Sequence, residues 1–497
     1  MTAIDETINQ PMTPATAPAG GTECRDDVAG HPLPPDGAML QQVFALLERE
    51  GLPYCVTHAY EHLPRHIVHD VDCVVPESAL PRGLAALLME NEEFIGGRVV
   101  QWFEERANFV VLQGSPPPRP SPGLQPQAPT SPRPGEPVLL QLHVSSDFEV
   151  KNRIVAGCDA ILSTRRSFLD RFYVPAAHVE FACILANRVD KLGFEPHHLR
   201  QLSALWAADP QKCAEQLERM FGAQSVALVG ASALHNEWEP VVTQLPALRR
   251  EMMWKLALSR PIGYVGRIAD NQLRRLKRWC RPRPRRGGMH VVFLGPDGVG
   301  KSTVIEAVQQ RLAPAFLRTS YQTFARSLLG RRPKPSPHAL PPRSLPASLL
   351  KAAWWLACYT AGYFISVYPT LVRGGLVINH RYLLDAMVDP RRYRYGGPMG
   401  LLRAIWAIAP KPDLVIVLNA PADIIHARKR ETTLEETTRQ REAYLALALA
   451  LPNARIVDTS RSPQQTIDDV TNILLDHMAA GVTRRLKLDV DGGTRRP

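Results

Sequence analysis

The sequence predicts an α/β protein in two parts. The C-terminal part is a parallel, doubly wound sheet, and the N-terminal part is an α+β domain with a helical tail. Three observations carry this. A glycine-rich turn at residues 295–300 lies between an apolar run and a helical pattern. After it, short apolar runs alternate with helical stretches to about residue 480, the pattern of a parallel sheet with crossover helices. Before it, alternating strand-like segments come first, and helical patterns follow near residues 181–192, 197–208 and 211–221.

The central stretch is residues 291–303, VVFLGPDGVGKST. It fits G-x-x-x-x-G-K-[ST] with a strand before it and a helix after it, where Val304, Ala307, Val308 and Leu312 recur at helical spacing. Gly295, Gly298, Val299 and Gly300 form a loop whose backbone N–H groups can point at phosphate oxygens, and the helix start adds a favourable dipole. Lys301 supplies a cation for terminal phosphates. Ser302, followed by Thr303, supplies a hydroxyl for Mg²⁺. Residues 289–480 are therefore expected to form a P-loop NTPase domain that binds ATP and Mg²⁺.

A chain of 497 residues is too long for one ordinary core. Hydrophobic residues make up 45%, enough for globular packing, while the 45 prolines gather in a few stretches that read as linkers or insertions. The net charge of +11 admits polyanions, anionic lipid and phosphorylated substrates without choosing among them. The eight cysteines show no C-x-x-C pair, which fits a reduced, cytoplasmic protein better than a disulfide scaffold. No secretory signal opens the sequence. Residues 352–368 are uncharged but short and carry three tyrosines, so they read as a buried or interfacial helix rather than a membrane span.

Residues 1–36 read as disordered. The N-terminal domain is expected over 37–255. It has a helix at 39–49, strands at 54–57 and 68–75, a helix at 80–90, a strand pair at 94–101 and 108–113, and another strand at 138–144. The Pro-rich segment 115–137 is either an insertion between strands or a docking ligand. Residues 256–288 form a basic joint. It reads as a solvated linker or as a patch for anionic lipid at the inner membrane face, whereas nucleic acid is not expected, because only Trp279 interleaves the basic residues. Another Pro-rich segment spans 333–346, and residues 481–497 read as a tail, frayed from Arg484 onward.

Asp70 and Asp72, at i and i+2 of a strand, share one face and can hold a metal ion. The region 54–75 is similar to nucleotidyltransferase-fold proteins, with their Asp-x-Asp but without the preceding Gly-Ser. Where a third carboxylate is expected, residues 138–144 offer Gln141 and His143. Two readings stand: a catalytic metal pair, or a strand that happens to carry two acids.

In the C-terminal half, strands are expected at 376–378, 414–418 and 454–458. GPDGVGKST, the Arg381-Tyr382 pair at a strand end, PDLVIVLNAP and an Arg-Lys helix together resemble thymidylate kinases. More narrowly, they resemble the thymidylate kinase-like proteins found with bacterial surface-polysaccharide genes, through Asp385, Asp389-Pro390-Arg391-Arg392-Tyr393 and Tyr395-Gly396-Gly397-Pro398. The resemblance covers most of residues 289–475. It implies ATP phosphates and Mg²⁺ at Lys301 and Ser302, an acid near the nucleotide sugar at Asp297, and an acceptor-phosphate clamp at Arg381. It also implies a lid carrying Arg428, Arg430, Arg439 and Arg441, with Arg428 toward the nucleotide. The implied activity is transfer of the ATP γ-phosphoryl group to a nucleoside monophosphate or a related phosphorylated or sugar acceptor. The chain departs from the family pattern twice, with His380 and Asn419 where aspartates are usual. Asp385, about one helical turn after His380, becomes the candidate metal carboxylate. Nucleotidyl transfer at Asp70 and Asp72, and a nucleotide-binding scaffold at the membrane face, are the alternatives.

Overall fold

The computed structural model describes residues 32–67, 70–80, 82–104, 108–114, 136–280, 287–323, 341–430 and 432–493. Most of the expected disordered N-terminus and of both Pro-rich segments lies outside them, as do Val68, His69 and Arg281 to Arg286.

The N-terminal domain is a mixed five-stranded sheet built from β1 (Cys55–Val56), β2 (Val71–Val74), β3 (Gly97–Glu104), β4 (Asn108–Gly114) and β5 (Val138–Ser145). The strand order is β1-β2-β5-β4-β3, with β2 and β5 parallel and the other pairs antiparallel. Strand β5 shows how one sequence serves two faces. Val138, Leu140, Leu142 and Val144 point to a core shared with the helix Pro35–Arg49. The alternate positions Leu139, Gln141 and His143 point the other way. On that second face, Leu139 joins Val100, Phe103 and Val111 against the C-terminal half, and Gln141 donates to the Pro314 carbonyl.

Two hairpins escape the sequence reading, β6 (Phe148–Val150) with β7 (Arg153–Ala156) and β8 (Arg166–Phe168) with β9 (Phe172–Val174). In each, both turn residues have positive φ, at Lys151-Asn152 and Leu169-Asp170, the geometry that matches the twist of a tight hairpin. Asn152 and Asp170 were the available signals. The three expected helices appear as Ala177–Lys191, Pro196–Ala208 and Pro210–Met220, and Ala223–His235 and Leu245–Ser259, which the sequence reading did not place, join them around Phe181, Phe221 and Met252.

The C-terminal half holds an all-parallel sheet of β10 (Met289–Leu294), β11 (Thr319–Thr323), β12 (Leu376–His380), β13 (Leu414–Asn419) and β14 (Ala454–Asp458), in the order β11-β12-β10-β13-β14. Every residue of β10 is buried, because helices cover both faces. Val291 and Phe293 enter one apolar cluster, and Val292 and Leu294 the other. The order reverses at β10, so its carboxyl end opens into the crevice where ligands of such sheets bind.

Two junctions are helical. Within the basic joint, Pro261–Cys280 is a 20-residue helix. Pro261 fits the first turn, and no further proline interrupts the segment. Residues 484–493, expected to fray, continue the last helix, which runs Pro463–Gly493. Val482 and Leu486 pack into the N-terminal core, while Val470 and Leu474 of the same helix pack under the parallel sheet. One helix thus ties both sheets together. Among the described residues, no helix is long and apolar enough to cross a membrane.

Candidate active site

Strand β10 ends in a tight loop with Gly295, Gly298 and Gly300 at φ of 140°, 90° and 96°. A Cβ on Gly295 would lie 2.6 Å from the Leu418 carbonyl oxygen, so only glycine lets the loop pass so close to β13. Lys301 opens the helix Lys301–Leu312, and its buried Nζ donates to the Gly295 and Pro296 carbonyls at 2.8 Å each. Burial pushes its pKa down to about 8, against the pull of Asp297. Ser302 and Thr303 are exposed on the first helical turn.

Facing this loop is a closed ionic network. Arg381, held at φ 74°, donates to Asp297 and to Asp385, the latter at 3.1 Å. Arg392 donates to the second carboxylate oxygen of Asp297. Asp385 is fully buried and also accepts from Tyr393 at 2.5 Å and from Tyr444. Burial alone would raise the Asp297 carboxyl; the cations Lys301, Arg381 and Arg392 prevail and hold it well below the usual range. Burial would likewise ease the proton off Arg381, but Asp385 and Asp297 hold it more firmly than usual.

The structure therefore brings Lys301, Asp297 and Arg381 together. Asp385 is enclosed by Arg381, Tyr393 and Tyr444. A carboxylate so enclosed serves to fix Arg381. The sequence reading gave no role to Arg392, Tyr393 or Tyr444; the Asp389-to-Tyr393 run was the signal for the first two. Asp389 itself is buried, accepting from the Arg392 backbone N–H and from Gln440, both at 3.1 Å.

His380 ends β12 level with Phe293 of β10. Its Nδ1 shares a 3.0 Å hydrogen bond with the Tyr321 hydroxyl, and its Nε2 is buried without a hydrogen-bond partner among the described residues. Burial, then Lys301 and Arg381, push its pKa down to about 4, so the imidazole is neutral at neutral pH. Asn419 accepts from Arg441 at 2.9 Å. Of the other expected lid arginines, Arg428 donates to the Thr459 carbonyl at 3.0 Å and Arg439 forks onto Glu436 at 2.6 and 2.8 Å. Neither reaches the Lys301 network. Arg430 lines an open cleft with Arg391, His426 and Arg439.

In the N-terminal sheet, Asp72 and His143 are direct neighbours on parallel strands β2 and β5. His143 Nδ1 lies 2.7 Å from Asp70 and 3.8 Å from Asp72, and His58 Nε2 lies 2.9 Å from Asp72. Asp70, Asp72 and His143 each offer one ligand atom, all within 4.8 Å of one another. The His143 hydrogen bond, outweighing burial, lowers the Asp70 carboxyl below its ordinary value. Where the sequence resemblance called for a third carboxylate, the fold supplies an imidazole.

No protein-family model matches the chain. It is similar to a probable thymidylate kinase of Pyrobaculum aerophilum, 29% identical over 195 residues, which cover 37% of this chain and 95% of that protein. A probable thymidylate kinase of Caldivirga maquilingensis is 29% identical over 197 residues, 37% of this chain and 91% of its own length. A thymidylate kinase of Rhodopseudomonas palustris is 28% identical over 208 residues, 37% of this chain and 86% of its own. This distant similarity and the all-parallel five-stranded sheet with its glycine loop agree on one conclusion: the chain carries a nucleotide kinase-like domain.

Proposed function

We propose that the protein is an ATP-dependent phosphotransferase of the thymidylate kinase-like kind. It moves the γ-phosphoryl group of ATP to a nucleoside monophosphate or a related phosphorylated or sugar acceptor. The observation that carries this reading is the placement of two guanidinium groups, Arg381 and Arg392, on one carboxylate beside the Lys301 loop. Guanidinium pairs recognise phosphate oxygens as they do carboxylate oxygens, so Asp297 holds them where an acceptor phosphate would meet them. Phosphoryl transfer needs mainly positioning and positive charge, and Lys301, Arg381 and Arg392 supply both.

The loop N–H groups and Lys301 would hold the ATP phosphates. The Ser302 hydroxyl, exposed at the helix start, fits Mg²⁺, which when bound neutralises charge on the phosphates. The strand end that usually adds an acid there presents neutral His380 instead, so this chain relies more on its own cations. In this reading residues 37–255 form a nucleotidyltransferase-like part and 289–480 the kinase-like part, acting in the cytoplasm where ATP is available.

ATP binding by calorimetry, with Lys301→Ala beside the wild type, tests the proposal. We expect at least a ~100-fold loss of affinity, about 2.7 kcal/mol. Equal binding by the two proteins, or no ATP-dependent turnover of any nucleoside monophosphate or sugar acceptor, sinks it. A second reading rests on Asp70, Asp72, His58 and His143: metal-dependent nucleotidyl transfer at the N-terminal sheet. Pyrophosphate release that disappears in Asp70→Asn supports this reading, and release that persists removes it.

A further inference from the structure

We infer that the helix Pro261–Cys280 is a surface anchor for anionic lipid. The helix is amphipathic, but it sits the opposite way round from an ordinary surface helix. Tyr264, Arg267 and Asn271 face the protein, while Arg274, Arg275 and Lys277 are exposed. Arg267 pairs with Asp147 at 2.9 Å and with Glu149 at 3.0 Å, Asn271 donates to Asn152 at 2.7 Å, and Tyr264 accepts from Arg153 at 2.9 Å. Its apolar stripe faces outward. Ile262, Val265, Leu273 and Leu276 lie within one narrow sector of the helix and are 89%, 63%, 47% and 62% exposed. No residue of this helix is buried. Hydrophobic burial does not hold it in place; ion pairs and hydrogen bonds do, which leaves the stripe for something else to cover.

The charge pattern selects the occupant. The helix carries five cations, Arg267, Arg274, Arg275, Lys277 and Arg278, and one acid, Asp270, which is paired with Arg274 at 2.6 Å. A second copy of the helix would bring like charges together. Nucleic acid would engage the exposed cations Arg274, Arg275 and Lys277 but leave the apolar stripe uncovered. An anionic lipid surface satisfies the stripe and the flanking cations at once. The apolar surface also continues beyond the helix. Trp279, 43% exposed, packs on Tyr368 at 5.3 Å, and Phe364, 59% exposed, packs on the same ring at 5.7 Å. Aromatic rings at such an edge suit the headgroup level.

Flotation of the full-length chain with vesicles of neutral phosphatidylcholine, and with vesicles that include phosphatidylglycerol, tests the inference. We expect binding to the anionic vesicles only, weakened by raised salt as screening requires. In Leu273→Asp/Leu276→Asp the bound fraction should fall at least tenfold, with circular dichroism and thermal midpoint unchanged, because both side chains are exposed. Four results overturn the inference: no flotation of the wild type, equal flotation on neutral vesicles, flotation that the double variant retains, or a wild-type dimer by sedimentation that the double variant turns into a monomer.

Discussion

The two polar clusters of this molecule lie on different sheets and are built in opposite ways. At the phosphate loop, cations outnumber acids at the surface of the network: Lys301, Arg381 and Arg392 converge on Asp297, with Asp385 sealed behind them. At the N-terminal sheet, two carboxylates meet two imidazoles that remain about a third exposed. The first cluster is suited to receive a polyanion and the second a metal cation. Their difference in burial makes the first rigid and expensive to break, and the second adjustable.

The contrast can be broken first at Arg381. Arg381→Met strands the buried Asp385 carboxylate and should cost about 3–5 kcal/mol by chemical denaturation. Adding Asp385→Asn should recover part of that loss, because it removes the uncompensated charge. If the single variant is as stable as the wild type, the sealed network is not what fixes the clamp. Next in size is metal binding at the N-terminal cluster. Zn²⁺ or Mn²⁺ in about 100-fold excess over its Kd should stabilise the wild type by about 2.7 kcal/mol, and Asp70→Asn/Asp72→Asn should show no such gain. Equal shifts in both proteins would assign the metal to other residues.

A third comparison sharpens the kinase site alone. His380→Asp places an acid at the end of β12, where the resemblance of the sequence to thymidylate kinases implies one. If the proposed transfer holds, its rate should rise about tenfold, the scale of an outer-shell effect on a metal site. An unchanged rate would mean that Lys301, Arg381 and Arg392 already suffice. The pH response follows from the same residue. A histidine whose folded pKa, about 4, lies below its ordinary 6.5 contributes stability above pH 6.5 and loses it as pH falls toward 4. His380→Gln should therefore flatten the acid side of the stability profile in that window. Asp70 adds a smaller acid loss of its own, since its lowered pKa contributes stability that disappears as pH falls through the carboxylate range. As the smallest effect, Asp70→Asn without metal should change stability by less than about 1 kcal/mol, because the pair is partly solvated.

The phosphate loop was legible because its glycines, lysine and flanking strand are adjacent in the chain and their spacing is set by local geometry. The same holds for the apolar runs that became β10, β12 and β13. The hairpins β6–β7 and β8–β9 were less legible, since their strands are three or four residues long and too short to show a period. The enclosure of Asp385 was not legible for a different reason. Its position one turn after His380 was readable, but its partner Tyr444 lies 59 positions away, and only packing could show that it closes over Asp385 together with Tyr393.

Alone, the sequence determined the loop, the apolar runs that became β10, β12, β13 and β14, and the Asp70–Asp72 spacing, because each rests on residues a few positions apart. Tertiary structure decided three things. Arg392 joins Arg381 on Asp297, His143 joins Asp70 from a strand about seventy positions later, and the helix Pro261–Cys280 turns its apolar stripe outward. Amphipathic spacing fixes which residues share a face, but the partners opposite that face determine whether it turns toward the protein or toward the surroundings.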